Sequence, residues 1–407
     1  MSRTLRYSLG AGITLADLAG DPHPLLHRLR AAEPVSWLPA LKAWLVTKRP
    51  YAVEVMRDTK TYTVDHPGFS TAQVVGPSML SLDGDEQQRH RAPFERPFRR
   101  SAVHTRFNKV VADHVTGLLD GFAANGQAEL RRDYAGPIAV QTMITALGLE
   151  EIAISTILNW YDAIVEAVTR VTAGEPVSAE GRAAFAALRE SLLPALKRPP
   201  DANLLAAAAG MADGLSTEQI VSNAAILLFG GIETTEGMIA NAFYFLLTNP
   251  DVLTWARDSS HRRQAGPRLS AVIEETLRLE PAAAVIDRYA VCDVQLGTAV
   301  IRAGDLVQVS LAGANRDPET FADPDRFDPF RPNLHTHVTF AQGPHVCLGL
   351  HLARLEAQQA LAQALTRLPN LRLDATAYAA DEARPRGLVF RKPEALHVLW
   401  DSEMSQL

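Results

Sequence analysis

The chain has 407 residues, 47% hydrophobic and 21% charged, with a formal net charge of −6 and a pI near 6.1. Such a composition supplies a large core and argues against extensive disorder, and its mild acidity gives no global reason to expect nucleic acid or an anionic membrane as partner. Two cysteines, Cys292 and Cys347, are too few for a disulfide framework, so a reducing cytoplasm is the expected setting. No stretch approaches the roughly 20 apolar residues that span a bilayer, and residues 1–20 lack a small-residue cleavage site. With no linker, repeat or low-complexity run, a single domain over residues 1–407 is expected.

In chain order, residues 24–32 read helical and residues 34–47 alternate like short strands, with Trp37, Trp44 and Val46 suited to a sheet. From Ala102 to about Leu193 the spacing of alanine and leucine is helical, and Pro199 with Pro200 marks a loop. Residues 216–248 form the longest helical pattern, opened by Ser216 and Gln219 as a capping box and closed by Asn249 and Pro250. Its middle, residues 224–232, is apolar on every face, as suits a helix buried all round. Gly230 and Gly231 at that point cost about 1 kcal/mol each against alanine, so something bulky is expected against the backbone there.

Residues 269–279 form another helix before Pro281, and residues 291–309, which include Cys292, alternate like antiparallel strands. Residues 315–332 make a loop packed through Phe321, Phe327 and Phe330. A final helix runs from Leu348 to about Leu365, and residues 388–400 look like a strand. The fold class expected is mainly α with a smaller β portion.

The chemistry concentrates just before that last helix, in Phe340, Gly343, His345, Cys347 and Gly349. Glycines suit a tight turn, and a cysteine near the positive end of a helix is expected to favour its thiolate. This pattern resembles the haem-binding loop of the cytochrome P-450 family, differing at Ala341, where the family usually has glycine. The resemblance implies the cytochrome P-450 fold, with haem b between the long central helix and the cysteine loop and Cys347 as the axial iron ligand. Thiolate donation to iron favours O–O cleavage.

Other segments extend the resemblance over residues 80–400. Glu275 and Arg278, three apart on one helix face, would alone read as a surface pair. The family has such a pair before its haem loop, with partners in segments like residues 315–318 and 327–332, and the implied role is structural. Gly230, Gly231, Ile232, Glu233, Thr234 and Thr235 resemble the oxygen-activation motif, in which an acid and a threonine relay protons beside the haem. Read alone, the same run is a solvated strip or a threonine bonded to the preceding turn. By the resemblance, Thr234 and Glu233 are the catalytic pair, and the two glycines leave room for oxygen and substrate.

Haem propionates need cationic or hydrogen-bonding partners, for which Arg91, Arg288 and His345 are candidates. Gln87 stands where the family's early His-x-x-x-Arg motif has histidine, and His90 lies close by. Residues 89–100 hold five arginines; Arg96, Arg99 and Arg100 are expected to face a ferredoxin or flavodoxin-type electron donor served by its own reductase. No reductase segment is recognised within the chain. The pocket implied by family position is lined by residues 63–80, Ile226, Phe229, Gly230, Ala283, Ala284, Val285, Val389 and Phe390, mostly small or apolar.

The function implied is insertion of one oxygen atom from O2 into a small hydrophobic substrate, aromatic compounds included, without nucleic acid or membrane. Two alternatives remain at this stage. A peroxide-driven or otherwise specialised member commonly lacks the acid–threonine pair. A non-catalytic haem sensor or carrier would need the cysteine loop but not the relay.

Overall fold

The computed structural model describes residues 6–172, 175–211, 215–258, 265–379 and 383–402. Eight of the longer helices among the described residues frame the fold: α1 (Gly84–Glu95), α2 (Arg100–Phe122), α3 (Gly136–Leu147), α4 (Ile154–Thr172), α5 (Ala179–Leu196), α6 (Thr217–Thr248), α7 (Ala265–Leu279) and α8 (Leu350–Arg367). Ten short strands complete it: β1 (Val35–Leu38), β2 (Ala43–Val46), β3 (Tyr62–Thr63), β4 (Gln127–Glu129), β5 (Val285–Ala290), β6 (Val294–Leu296), β7 (Ala299–Ile301), β8 (Leu306–Ser310), β9 (Arg372–Leu373) and β10 (His397–Leu399). The fold is thus mainly helical with a smaller sheet portion. Among the described residues no helix is long and apolar enough to cross a membrane.

Helix α6 is the axle. Ser216 accepts from the backbone N–H of Gln219 while the Gln219 side chain accepts from that of Ser216, so two of the helix's free donors are satisfied at its start. Its 32 residues span about 48 Å at 1.5 Å per residue. It packs against α3, α7 and α8 within one apolar cluster, which explains an apolar composition on all its faces.

The main sheet has strand order β1-β2-β8-β5-β3 and covers a second apolar cluster that includes Trp44, Val307 and Val309. β2 runs parallel to β8 and the other pairings are antiparallel. Strand β5 carries Val285 and Arg288 along the sheet.

Three local expectations are corrected. Cys292 lies in an exposed bend between β5 and β6 and not in a strand. Phe330 is 62% exposed and packs edge-on against Trp255, whereas Phe321 and Phe327 are buried as expected. Of residues 388–400, only β10 is a strand. Carbonyl groups of Ala282, Gly387 and Gly20 are met instead by the Arg391 backbone and guanidinium, which hold residues 387–392 without a continuous ladder.

Candidate functional site

Between Ile220 and Tyr244 every residue of α6 is buried except Phe229, Gly230, Gly231, Glu233 and Thr234. These sit where the sequence places its glycine pair, so the core helix is bared at this stretch. The two glycines differ. A Cβ built on Gly230 meets nothing within 4 Å, whereas one on Gly231 would lie 2.3 Å from the Met143 sulfur on α3. Only Gly230 faces open space; Gly231 allows α3 to approach, which corrects the expectation that both leave room for ligands.

Thr234 donates its hydroxyl to the Gly230 carbonyl at 2.6 Å, the bond to the preceding turn that its position in mid-helix permits. Its proton is directed there and its oxygen lone pairs stay available as acceptors. The neighbouring carboxylate is also held: Glu233 Oε1 is 2.7 Å from Lys392 Nζ, and Oε2 accepts from the Tyr161 hydroxyl at 3.2 Å. Burial, with Glu233 beside it, pushes the Tyr161 hydroxyl far above its ordinary value and keeps it a donor.

The cysteine loop is fixed by backbone geometry and by α1. Gly343 has φ of 77°, and a Cβ there would stand 2.9 Å from the Met56 carbonyl, so the turn requires glycine. Ala341 also adopts a left-handed φ, 60°, where glycine costs least. The Cys347 N–H donates to the Phe340 carbonyl at 2.8 Å, and the Arg354 guanidinium lies 4.5 Å from the Phe340 ring centre. From α1, Gln87 donates to the Pro344 carbonyl at 3.0 Å and Arg91 to that of Val346 at 2.8 Å. Both side chains therefore tie helix to loop, a contact the sequence reading did not anticipate. His90, one turn from Gln87, turns instead into the core beside Asn223.

Cys347 presents accessible surface although much of the protein surrounds it. Burial raises its thiol pKa, outweighing the opposing pull of the Gly349 and Leu350 N–H groups, Arg91 and Arg354. The helix terminus is thus one of several influences on this thiol that oppose its burial. Gly349 beside it, like Gly230, has nothing within 4 Å of an added Cβ.

Near the start of α1 a polar cluster forms that the sequence reading caught in part. His345 Nε2 pairs with Asp83 Oδ1 at 2.8 Å. Burial opposes the charged form of Asp83, but hydrogen bonds from His345, Thr63 and the Val64 N–H outweigh it and hold its carboxyl down at about 2. Arg288 is 4% exposed, and burial lowers its pKa. One Nη donates to the Asp287 carbonyl at 2.7 Å, while Nε and the other Nη have no partner among the described residues. A buried guanidinium with two idle donors is costly unless an anion meets it.

Of the pocket residues expected, Val389 and Phe390 are 42% and 41% exposed, as is Leu80 at 40%, and together with Phe229 and Gly230 they provide accessible apolar surface. Ala283 bridges Phe390 through the backbone. Ile226 is buried within the main core cluster, and Ala284 is buried in a cluster with Leu18, Leu26 and Leu29. Ala284, Val285 and Val389 line an apolar pocket with Leu18, Leu26 and Leu45.

Glu275 and Arg278, fully buried, pair through two bonds of 2.8 Å. Glu275 also accepts from Arg331 and from the Asp328 N–H, and Arg278 donates to the carbonyls of Asn315, Pro324 and Arg326. The surface reading of this pair is therefore excluded: it clamps α7 to residues 315–331. Of the basic run, Arg89 pairs with Glu86, and Arg96, Arg99 and Arg100 are exposed. Tyr161, Lys392 and Asp83 were missed as site residues; no motif marks the first two.

Comparison with known proteins supplies the context for this geometry. The family model described as Cytochrome P450 matches residues 185–394. The chain is 32% identical to cytochrome P450 107B1 of Saccharopolyspora erythraea over 386 residues, covering 88% of this chain and 90% of that one. It is 34% identical to the cytochrome P450 monooxygenase PikC of Streptomyces venezuelae over 382 residues, covering 90% and 88% respectively. Among solved structures, CalO2 superposes with a TM-score of 0.84 at 28% identity, covering 96% of this chain and 99% of that one. P450BioI, crystallised with an acyl carrier protein bearing hexadec-9Z-enoic acid, gives 0.82 at 27% identity, covering 95% and 100%.

Proposed function

The chain belongs to the cytochrome P450 family, and on that premise we propose that Cys347 is the axial ligand of its haem iron and that Thr234 and Glu233 manage protons across the cleft. Family members bind haem b, and the chain is a monooxygenase of small organic substrates. Relatives of 32–33% identity include a nocardicin C N-oxygenase, a mycinamicin IV hydroxylase/epoxidase and a vitamin D(3) 25-hydroxylase.

The observation that carries the site assignment is a cysteine with accessible surface in a loop pinned by Phe340, Gln87 and Arg91. The surrounding residues fit the cofactor. Arg288 offers two idle donors for a propionate, with His345 and Arg91 as further candidates, and Gly349 and Gly230 leave space that a Cβ would fill. A thiolate-held haem binds and reductively activates O2. The protein's own work is then to place donors and acceptors. Thr234 Oγ1, with its proton on Gly230, is an acceptor for water or a protonated group in the cleft, and Glu233 next to it is the nearest acid in sequence.

Leu80, Phe229, Val389 and Phe390 favour a hydrophobic substrate. Arg96, Arg99 and Arg100 form a basic face suited to an acidic ferredoxin or flavodoxin. We place this single domain in a reducing cytoplasm, in keeping with two free cysteines. The test is Thr234→Ala with a substrate found by spin-state screening: product formed per electron pair falls and hydrogen peroxide release rises. Parental coupling in that variant would contradict the relay.

A further inference from the structure

Glu233 is held by groups from two distant parts of the chain, and their arrangement points to a role for Lys392. Glu233 and Glu236 stand three apart on α6, so their carboxylates share a face and repel. A single ammonium, Lys392 Nζ, lies 2.7 Å from Glu233 Oε1 and 2.7 Å from Glu236 Oε2. Glu236 already has another cation, Arg131, whose Nε is 2.7 Å from Oε1 and whose Nη1 is anchored on the Glu394 carbonyl. Two carboxylates thus meet two cations. The charge that loses its counter-ion if Lys392 is removed is that of Glu233, whose remaining partner is the neutral Tyr161 hydroxyl.

The ammonium is delivered by a backbone with little freedom. Arg391, the preceding residue, is buried against Glu280 at 2.6 Å, and its N–H donates to the Ala282 carbonyl. Asn241 on α6 donates to the Arg391 carbonyl at 3.0 Å, and Arg386 and Lys392 exchange backbone bonds of 3.0 and 3.1 Å. Close approach to α6 depends on Gly237, where a Cβ would lie 3.5 Å from the Lys392 Cβ and 2.9 Å from that of Ala282. The same segment presents Val389 and Phe390 as accessible apolar surface. Lys392 is therefore fixed by a segment that also carries accessible apolar side chains, and its own side chain is only 13% exposed.

We infer that Lys392 is a positioning residue for Glu233: the ammonium offsets repulsion from Glu236 and, with Tyr161, holds the Glu233 carboxylate where it can serve Thr234. This rests on the relay reading above. Without the ammonium, the carboxylate is driven from Glu236 and leaves its place.

The experiment compares Lys392→Met, Glu233→Gln and the double variant Lys392→Met with Glu236→Gln in the haem-loaded protein. One readout is product formed per electron pair; the other is the Glu233 carboxylate position in crystal structures. Lys392→Met lowers the coupled fraction about threefold or more, a part of the 10²–10⁴ that proton delivery typically contributes, and displaces the carboxylate. The double variant, with the repelling charge gone, recovers both. Should Lys392→Met not fold, Lys392→Gln takes its place with the same expectation. Parental coupling and carboxylate position on loss of Lys392, while Glu233→Gln is uncoupled, would overturn the inference and leave the relay intact. Failure of the double variant to recover overturns it too. Parental coupling in Glu233→Gln would remove the relay reading itself, and the inference with it.

Discussion

Adjacent glycines in α6 should respond in opposite directions to the same change. Alanine at Gly230 meets nothing within 4 Å, so Gly230→Ala gains about 1 kcal/mol of helix propensity without a clash. At Gly231 the new Cβ would lie 2.3 Å from Met143 Sδ and 2.6 Å from its Cγ. Overpacking of this kind typically costs about 1–3 kcal/mol, which the same propensity gain of about 1 kcal/mol only partly offsets. Gly230→Ala should therefore exceed Gly231→Ala in stability by about 1–3 kcal/mol, read from urea denaturation midpoints. Adding Gly231→Ala on a Met143→Ala background should remove the penalty, as expected of neighbours coupled through one contact. Equal shifts of the same sign for both glycines, or an unchanged penalty without Met143, would refute the assignment of one glycine to the cleft and the other to helix packing.

Glu275→Ala leaves Arg278 and Arg331 buried with lost partners and should cost about 3–5 kcal/mol; a loss below about 1 kcal/mol in urea denaturation would contradict the clamp. Ala341→Gly relieves a left-handed backbone worth about 1–2 kcal/mol and gives back about 0.4–1 kcal/mol of unfolded-chain entropy, so a small gain in the same assay is expected and a clear loss would count against it. Glu356 is fully buried, and burial raises its pKa well above the ordinary value. Above that ordinary value the unfolded chain has released a proton the folded chain retains, so this group's contribution to stability falls as pH rises. Glu356→Gln, neutral at every pH, should flatten the decline of the urea midpoint between pH 5 and pH 8; an unchanged slope would show that Glu356 does not cause it.

Much of the fold and part of the site were legible in sequence, for reasons visible at particular residues. The ends of α6 are announced by local chemistry, a capping box at Ser216 and Gln219 and a proline at 250. Its burial follows from apolar residues on every face. The turn before Cys347 is likewise partly local, since Gly343 adopts a φ of 77° that glycine best tolerates. What escaped depends on contacts between distant segments. Nothing near Lys392 indicates that it would meet Glu233 across 159 positions of chain, and nothing near Gly231 indicates Met143. At Cys347, helix-end polarity can be read locally, whereas the burial that opposes it is a property of the whole fold. Similarly, Ile226 and Phe229 both look apolar on one helix; only packing decides that the first is buried in the core and the second keeps accessible surface.

The central claim is that Cys347 holds the haem iron, and the most direct measurement is the absorption spectrum of the reduced, carbon monoxide-bound protein beside that of Cys347→Ala. The parent should show the long-wavelength Soret band of thiolate-ligated haem, and the variant should lack it. A band at the position typical of histidine-ligated haem in the parent, or an unaltered long-wavelength band in Cys347→Ala, would contradict the assignment.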